Sequence, residues 1–169
     1  LVDTARKGMA KYLTSENNKK ISNGFVKLYE IIKTFNLIPK GENINAFHLA
    51  EAPGQFINCI KHYIETKRKN IKYNWYANAL NPNNKEVKKI FGDVFNDAYN
   101  FMKNNPKKWI WGEDDTGDIT RINNIKYFKN FIKKQNFECN LVTGDIGTNK
   151  ETDLINLVKL EYYQIVNAI

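Results

Sequence analysis

The chain has 169 residues, of which 42% are hydrophobic and 13% aromatic; this suffices for one globular domain with a buried core and excludes a disordered chain. No apolar run approaches the length of a membrane-spanning helix and no signal peptide opens the sequence, so we expect an intracellular protein, cytoplasmic or nuclear, without a membrane partner. The net charge of +8 favours a polyanionic partner, although an Asn- and Lys-rich composition can produce the same excess.

The spacing of cysteines and histidines indicates neither a disulfide framework nor a metal site. Cys59 and Cys139 are predicted to be buried thiols in a reducing compartment. His48 is predicted to pack within a strand, and His62 to lie exposed on a helix. The sequence therefore predicts no bound metal ion.

The first predicted element is a short basic amphipathic helix at 3–14, which is followed by a polar turn at 15–20. Ser22 or Asn23 can cap the next helix. One side of this helix is predicted to consist of Phe25, Leu28, Tyr29, Ile32 and Asn36. Lys27 lies off this stripe, so periodicity alone predicts a solvated lysine.

A strand at about 46–51 ends in Glu51, and a Pro-Gly turn at Pro53 and Gly54 then opens a helix that ends near Lys67. Residues that recur three and four positions apart lie on one face of this helix: Phe56, Cys59, Ile60, Tyr63 and Ile64. Strand, tight turn and helix together bring backbone N–H groups close to a ligand, and a glycine leaves room for that approach. The other interpretation is an ordinary connection in an α/β domain.

A second strand is predicted from Tyr73 to Leu80, because Asn81 and Pro82 form a stop signal. A long amphipathic helix follows, despite Gly92 in its middle. Its apolar positions are Val87, Ile90, Phe91, Val94, Ala98 and Met102.

An acidic segment from Glu113 to Asp118 is unusual in so basic a chain. It lacks the ligand spacing and closing Glu of a calcium loop; the alternative is an exposed turn that caps a helix at 121–135. A strand at about 138–145 and a helix from about 151 complete the chain. That last helix is predicted to turn Leu154, Leu157, Val158, Ile165 and Ile169 inward.

Alternating strands and helices predict an α/β fold, in which a mostly parallel sheet carries helices on both faces. Ligands of such sheets gather beyond the carboxyl ends of the strands. The candidate groups there are 51–54, 78–81, 114–118 and Asp145. A dinucleotide dehydrogenase is disfavoured because the first turn lacks Gly-x-Gly-x-x-Gly.

Five motifs then sharpen this interpretation. They are Glu-Ala-Pro-Gly-x-Phe at 51–56, Asn-Gly-Phe-Val-Lys-Leu-Tyr-Glu-Ile at 23–31, Asn-Trp-Tyr-Ala-Asn-Ala-Leu-Asn-Pro at 74–82, Gly-Glu-Asp-Asp-Thr-Gly-Asp-Ile at 112–119 and Leu-Val-Thr-Gly-Asp at 141–145. In this order they resemble the FtsJ/RrmJ-type 2'-O-ribose methyltransferases, most closely the adrift-type mRNA cap methyltransferases. The resemblance covers residues 22–169 and implies a Rossmann-like fold, with 1–21 as a basic helical extension.

The resemblance implies S-adenosyl-L-methionine as the cofactor. Its methionine end would lie at the first turn, which assigns Glu51, Pro53, Gly54 and Phe56 to cofactor binding. Two further residues, Asn78 and Tyr73, would bracket the ribose and adenine. Asp118 matches the acid that faces the adenine amino group, whereas asparagines stand where the family's ribose-binding acid is usual.

The resemblance also implies a catalytic Lys-Asp-Lys-Glu set, in which Lys27 matches the first lysine and Asp145 the aspartate, which also borders the cofactor. The second lysine, which acts as the base, lies in the family on a strand beyond the position of Ile169. The sequence is therefore expected to be the front part of a methyltransferase domain, truncated before its last strands and inactive alone. Its last strand would keep an unpaired edge.

The predicted function is SAM-dependent ribose 2'-O-methylation of RNA, with capped mRNA as the predicted substrate and the basic residues Lys7, Lys11, Lys19 and Lys20 near phosphates. Further domains or subunits of a capping apparatus are expected partners, and a large DNA virus is one source that suits the composition. One alternative is a catalytically inactive methyltransferase-like module that binds RNA or a partner. Another is a generic nucleotide-binding α/β domain.

Overall fold

The computed structural model of the chain describes residues 2–17, 21–93, 97, 99–146 and 154–168. Its elements in chain order are α1 (Val2–Asn17), α2 (Asn23–Phe35), β1 (Asn43–Leu49), α3 (Gln55–Lys67), β2 (Lys72–Ala77), α4 (Lys85–Phe91), α5 (Phe101–Asn104), α6 (Ile122–Lys134), β3 (Leu141–Gly144) and α7 (Leu154–Ala168). A single 3-10 turn at Pro106–Lys108 follows α5. None of these helices combines the length and hydropathy needed to cross a bilayer.

The three strands form a parallel sheet in the order β2-β1-β3. Ala46 at the centre of β1 faces Trp75 of β2 on one side and Leu141 of β3 on the other. Beyond β2, Trp109 makes an isolated parallel bridge to Ala77, so a fourth chain segment runs along that edge. Within the described part of the chain, β3 has a strand neighbour on one side only.

Successive side chains along each strand point to opposite faces of the sheet, so an apolar cluster forms on each face. Ile44, Ala46 and Trp75 pack with residues of α2 and α3. Phe47 and Leu49 point the other way and pack with Phe128 of α6. The predicted α/β architecture, a parallel sheet with helices on both faces, is confirmed.

The long helix predicted from Val87 to Met102 is wrong. Helix α4 ends at Phe91 with Gly92 as its C-cap, and a separate short helix, α5, begins at Phe101. The carboxylate of Asp97 accepts hydrogen bonds from the backbone N–H groups of Met102 and Lys103, at 3.3 and 3.0 Å, and so holds the start of α5. The apolar repeat that continues across Gly92 therefore belongs to two separate helices, not to one.

Three smaller predictions also differ from the structure. Val158 and Ile165 of α7 are 55% and 60% exposed rather than inward, and the side chains of Leu154, Leu157 and Ile169 lie outside the described residues. His62 is half-buried against the rings of Phe25 and Tyr29, not exposed. Helix α1 continues through residues 15–17, where a turn was predicted, and 18–20 lie outside the described part.

Candidate functional site

The two residues predicted to be catalytic meet in the folded chain. Lys27 lies on α2, whose start is fixed by the Ser22 side chain, which accepts a hydrogen bond from the N–H of Phe25. Asp145 follows directly after β3. The Lys27 ammonium donates a hydrogen bond to the Asp145 carboxylate, and the two side chains remain 40% and 38% exposed. They line a groove of about 270 Å³ between α2 and the end of β3.

Glu51, two residues after the end of β1, organises the turn that follows. One oxygen of its buried carboxylate accepts hydrogen bonds from the backbone N–H groups of Phe56 and Ile57, at 2.7 and 3.1 Å. Burial raises the pKa of Glu51 to about 8, although those two hydrogen bonds act to lower it. Glu51 therefore satisfies the first N–H groups of α3 and fixes the shape of the predicted cofactor turn.

Gly54 lies at the start of α3 with a φ of 105°, and its N–H donates to the carbonyl of Glu51 at 2.7 Å. A Cβ at this position would lie 2.5 Å from Cδ2 of Phe101. The aromatic ring of Phe101 on α5 therefore occupies the place that a side chain on Gly54 would take. The sequence had predicted the segment that carries Phe101 as part of one long helix. Pro53 beside it is half-buried, and Phe56 is buried in the core.

Asn78 joins the carboxyl end of β2 to the neighbouring segments. Its Nδ2 donates to the carbonyls of Ile110 and Gly117, at 3.1 and 3.0 Å. Its backbone N–H donates to His48, and its carbonyl accepts from Glu51. Its Oδ1 is buried and has no hydrogen-bond partner, so one acceptor at this edge of the sheet is left unsatisfied.

Tyr73 packs within the sheet, and its assignment to cofactor binding stays a prediction. It lies near the start of β2, and its hydroxyl is 2.8 Å from Nε2 of His48, whose Nδ1 is 2.6 Å from the Thr143 hydroxyl. Burial lowers the pKa of His48 to about 3. His48 is thus packed within a strand, as the sequence predicted, and the Tyr73 hydroxyl is hydrogen-bonded to it inside the sheet.

The acidic segment from Glu113 to Asp118 is a hydrogen-bonded loop built around the fully buried Asn124 of α6. The Asn124 amide nitrogen donates to Asp114, Thr116 and the carbonyl of Asp118, and its oxygen accepts from the N–H of Glu113 at 2.8 Å. Burial alone would raise the pKa of Asp114, but hydrogen bonds from Thr116, Asn124 and Arg121 lower it to about 2. No group of three or more metal-ligating side chains is found among the described residues.

Arg121, which sequence reasoning did not single out, draws the carboxylates of this region together. Its guanidinium pairs with Glu86 of α4, with Asp114 at 2.9 Å and with Asp118 at 3.3 Å. The other Asp118 oxygen accepts from the Thr120 hydroxyl at 2.7 Å. The carboxylate assigned to the adenine amino group therefore already has partners within the protein, and its role in cofactor binding stays a prediction.

Gly117 lets this loop approach the end of β2. A Cβ on Gly117 would lie 1.7 Å from the carbonyl oxygen of Ala79, and the φ of Gly117 is 73°. The N–H of Asn81 donates to the carbonyl of Thr116 at 2.8 Å. The predicted groups at 78–81 and 114–118 are thus brought into direct contact.

Comparison with known proteins gives the family. The profile of the FtsJ-like methyltransferase family matches residues 21–167 of the chain. "Uncharacterized protein L511" of Acanthamoeba polyphaga mimivirus is 34% identical over 89% of this chain and 19% of its own length. "Cap-specific mRNA (nucleoside-2'-O-)-methyltransferase 2" of Danio rerio is 32% identical over 79% of this chain and 18% of its own length.

A third relative, "Probable methyltransferase EP424R" of African swine fever virus (isolate Pig/Kenya/KEN-50/1950), is 28% identical over 85% of this chain and 34% of its own length. The chain thus spans about a fifth to a third of the curated relatives it matches. No solved structure matches it significantly. The match of the profile to most of the chain means that the chain belongs to the FtsJ-like methyltransferase family.

Proposed function

We propose that this chain supplies the cofactor turn and the first two catalytic residues of an S-adenosylmethionine-dependent RNA ribose 2'-O-methyltransferase that acts on capped mRNA inside the cell. The observation that carries the proposal is the ion pair between Lys27 and Asp145 at the carboxyl end of the sheet. Family membership and relatives that are named as cap-specific mRNA methyltransferases support it.

The residues at this edge fit the proposed cofactor. The buried, unpaired Oδ1 of Asn78 is an acceptor that suits a hydroxyl or an amino group. The turn from Glu51 to Gly54 is held rigid by hydrogen bonds of its own, which is the preorganisation that a ligand-binding turn needs. We assign the cofactor to this edge, with Asn78 and the Gly54 turn in contact with it.

S-adenosylmethionine supplies, when bound, a methyl group on a sulfonium centre. A ribose 2'-hydroxyl is a weak nucleophile, so its proton must be taken as it attacks. In our proposal, Lys27 and Asp145 surround the base that takes this proton, which in the family is a second lysine. The Lys27 ammonium disfavours a second positive charge on that base, whereas the Asp145 carboxylate favours the charge and orients the base.

The RNA would approach across α1 and α2. Ala10 of α1 is buried in the core cluster that contains α2, so the extension packs against the domain. Lys7 and Lys11 of α1 are exposed, which suits contacts to phosphates. Lys19 and Lys20 lie outside the described residues.

The test is transfer of a labelled methyl group to capped RNA by a gene product that carries all four members of the catalytic set. We expect Lys27→Ala and Asp145→Ala each to lower the rate roughly 100-fold or more, because both residues tune or orient the base and proton transfer by a positioned base contributes at least that much. Lys33→Ala is the matched control, because Lys33 is an exposed lysine on the same helix. Undiminished transfer in either variant would remove that residue from catalysis.

A calorimetric measurement of S-adenosylhomocysteine binding to the 169-residue chain tests the cofactor assignment separately. We expect saturable binding that Asn78→Leu weakens. Absence of binding would favour a methyltransferase-like module that has lost its cofactor.

A further inference from the structure

A row of hydrogen-bonded side chains crosses the three strands of the sheet. Nε2 of His48 on β1 lies 2.8 Å from the Tyr73 hydroxyl on β2, and Nδ1 of the same ring lies 2.6 Å from the Thr143 hydroxyl on β3. His48 follows Ile44 and Ala46 at alternate positions, so its ring lies on the face of the sheet that α2 and α3 cover. One ring therefore connects β1 with both neighbouring strands.

The imidazole of His48 is fully buried and neutral. Burial lowers its pKa to about 3, so at neutral pH the ring has one N–H donor and one acceptor nitrogen. A hydroxyl group can donate or accept, so Tyr73 and Thr143 satisfy both nitrogens whichever of them carries the proton. A buried polar network in which every member is paired makes the packing around it rigid and unique. The row therefore fixes how the three strands lie relative to one another.

The Thr143 end of this row lies beside the proposed catalytic pair. Thr143 and Asp145 are two positions apart in the sequence, and both line the groove that also contains Lys27. The pairing of β3 with β1 ends at Gly144, so Asp145 lies just beyond the paired residues. In the part of the chain that the structure describes, no strand supports β3 on its other side. The position of Asp145 therefore depends on how firmly β3 is held to β1.

We propose that His48 and Thr143 are positioning residues for methyl transfer, which hold the end of β3 so that Asp145 meets Lys27. The proposal rests on the function proposed above and adds to it two residues that act through Asp145. Catalytic groups must be placed to within about 0.5 Å, and a misplacement of about 1 Å can lower a rate roughly 100-fold. A hydrogen bond is directional, so the bond between the buried ring and Thr143 gives a precision that apolar packing alone does not.

A row that only stabilised the sheet would behave differently. Loss of the Thr143 hydroxyl would then lower the free energy of unfolding, and its effect would add to that of a variant at the site. If Thr143 acts through Asp145, loss of the hydroxyl should matter little once the Asp145 carboxylate is absent, because the effects of residues that act as a unit are not additive. A double variant therefore separates the two roles.

The test is methyl transfer to capped RNA by a gene product that carries all four members of the catalytic set. We expect Thr143→Val, which keeps the shape and removes the hydroxyl, to lower kcat roughly tenfold while KM for both substrates stays within about twofold. Thr143→Ser should restore most of the rate, because it returns the hydroxyl. In the Asp145→Ala background, Thr143→Val should lower the remaining rate by less than about twofold. Thr66→Val is the matched control, since Thr66 is exposed and its hydroxyl donates to the carbonyl of His62 within α3.

Urea denaturation of the 169-residue chain shows whether each variant is folded. An unfolded Thr143→Val chain would overturn the inference, and so would full kcat in this variant or a roughly tenfold loss that persists in the Asp145→Ala background. Each of these results would mean that Thr143 does not act through Asp145. Full transfer by Thr143→Val in an active parent enzyme would leave the proposed function intact. A parent enzyme that transfers no methyl group would overturn the proposed function, and this inference with it.

Discussion

The ammonium of Lys27 and the carboxylate of Asp145 form an ion pair although 118 positions of sequence separate them. Neither side chain is buried, and an exposed pair of this kind stabilises a fold by only about 0–1 kcal/mol. The fold therefore gains little from bringing them together. We interpret the pair as a feature of the site and not of the core.

The first prediction is that this pair can be broken without unfolding the protein. Lys27→Ala and Asp145→Ala should each change the free energy of unfolding by no more than about 1 kcal/mol, measured by urea denaturation. High salt should shrink even that difference, because exposed charges are screened. A loss of several kcal/mol in either variant would make the pair structural and would weaken the case for catalysis.

The second prediction concerns the contact between Gly117 and Ala79. Alanine at Gly117 would bring its Cβ to 1.7 Å from the Ala79 carbonyl oxygen, so the acidic loop must move away from the end of β2. We expect Gly117→Ala to lower the unfolding free energy by about 2 kcal/mol more than Gly92→Ala does.

Gly92→Ala is the matched control because Gly92 also has a positive φ, 68°, but a Cβ there meets nothing within 4 Å. The Gly92→Ala variant measures only the cost of a positive φ at an alanine, about 1–3 kcal/mol, without a steric clash. Equal losses in the two variants would show that the loop yields easily and that its approach to β2 is not rigid.

The third prediction concerns Asn124, which holds the acidic loop together. Its Oδ1 accepts from Glu113, and its Nδ2 donates to Asp114 and two other oxygens in an environment with no exposure to solvent. Asn124→Ala leaves several buried groups without partners, so we expect a loss of about 2–3 kcal/mol in urea denaturation. Asn123→Ala, at an exposed position on the same helix, should stay within about 0.5 kcal/mol of the parent chain.

The sequence predicts the features that depend on local patterns. The run ending in Glu51, the Gly54 turn and the apolar spacing of α3 define one continuous local unit, and the structure confirms it. The meeting of Lys27 with Asp145 could be expected only from the family motifs, because no periodicity relates α2 to the end of β3.

What the sequence does not predict are contacts between distant segments. Phe101 covers Gly54 because Asp97 starts a separate helix after Gly92, and an apolar repeat gives no sign of that break. Asn124 is likewise an ordinary polar residue in an amphipathic pattern, and only its burial against the acidic loop reveals its role. Such tertiary contacts override local propensity.

The last prediction is a pH dependence that comes from Glu51. Burial raises its pKa in the folded chain to about 8 from an ordinary value of 4.5, so between these values the folded state keeps a proton that the unfolded state has lost. The unfolding free energy should therefore fall as the pH rises, by up to roughly 1.4 kcal/mol per pH unit, and the contribution is complete below pH 4.5 and gone above pH 8.

Glu51→Gln keeps an oxygen that can accept from Phe56 and Ile57 but cannot ionise, so its stability should be nearly flat where the parent chain declines. His48 acts in the opposite sense, because its pKa is lowered from 6.5 to about 3 and stability is lost as the pH falls below 6.5. Between pH 6.5 and 8 the stability is expected to change through Glu51 and not through His48. Urea denaturation of the parent chain and the variant should be compared in that range. Parallel stability curves across that window would mean that Glu51 is ionised in the folded chain and that its burial does not control its charge.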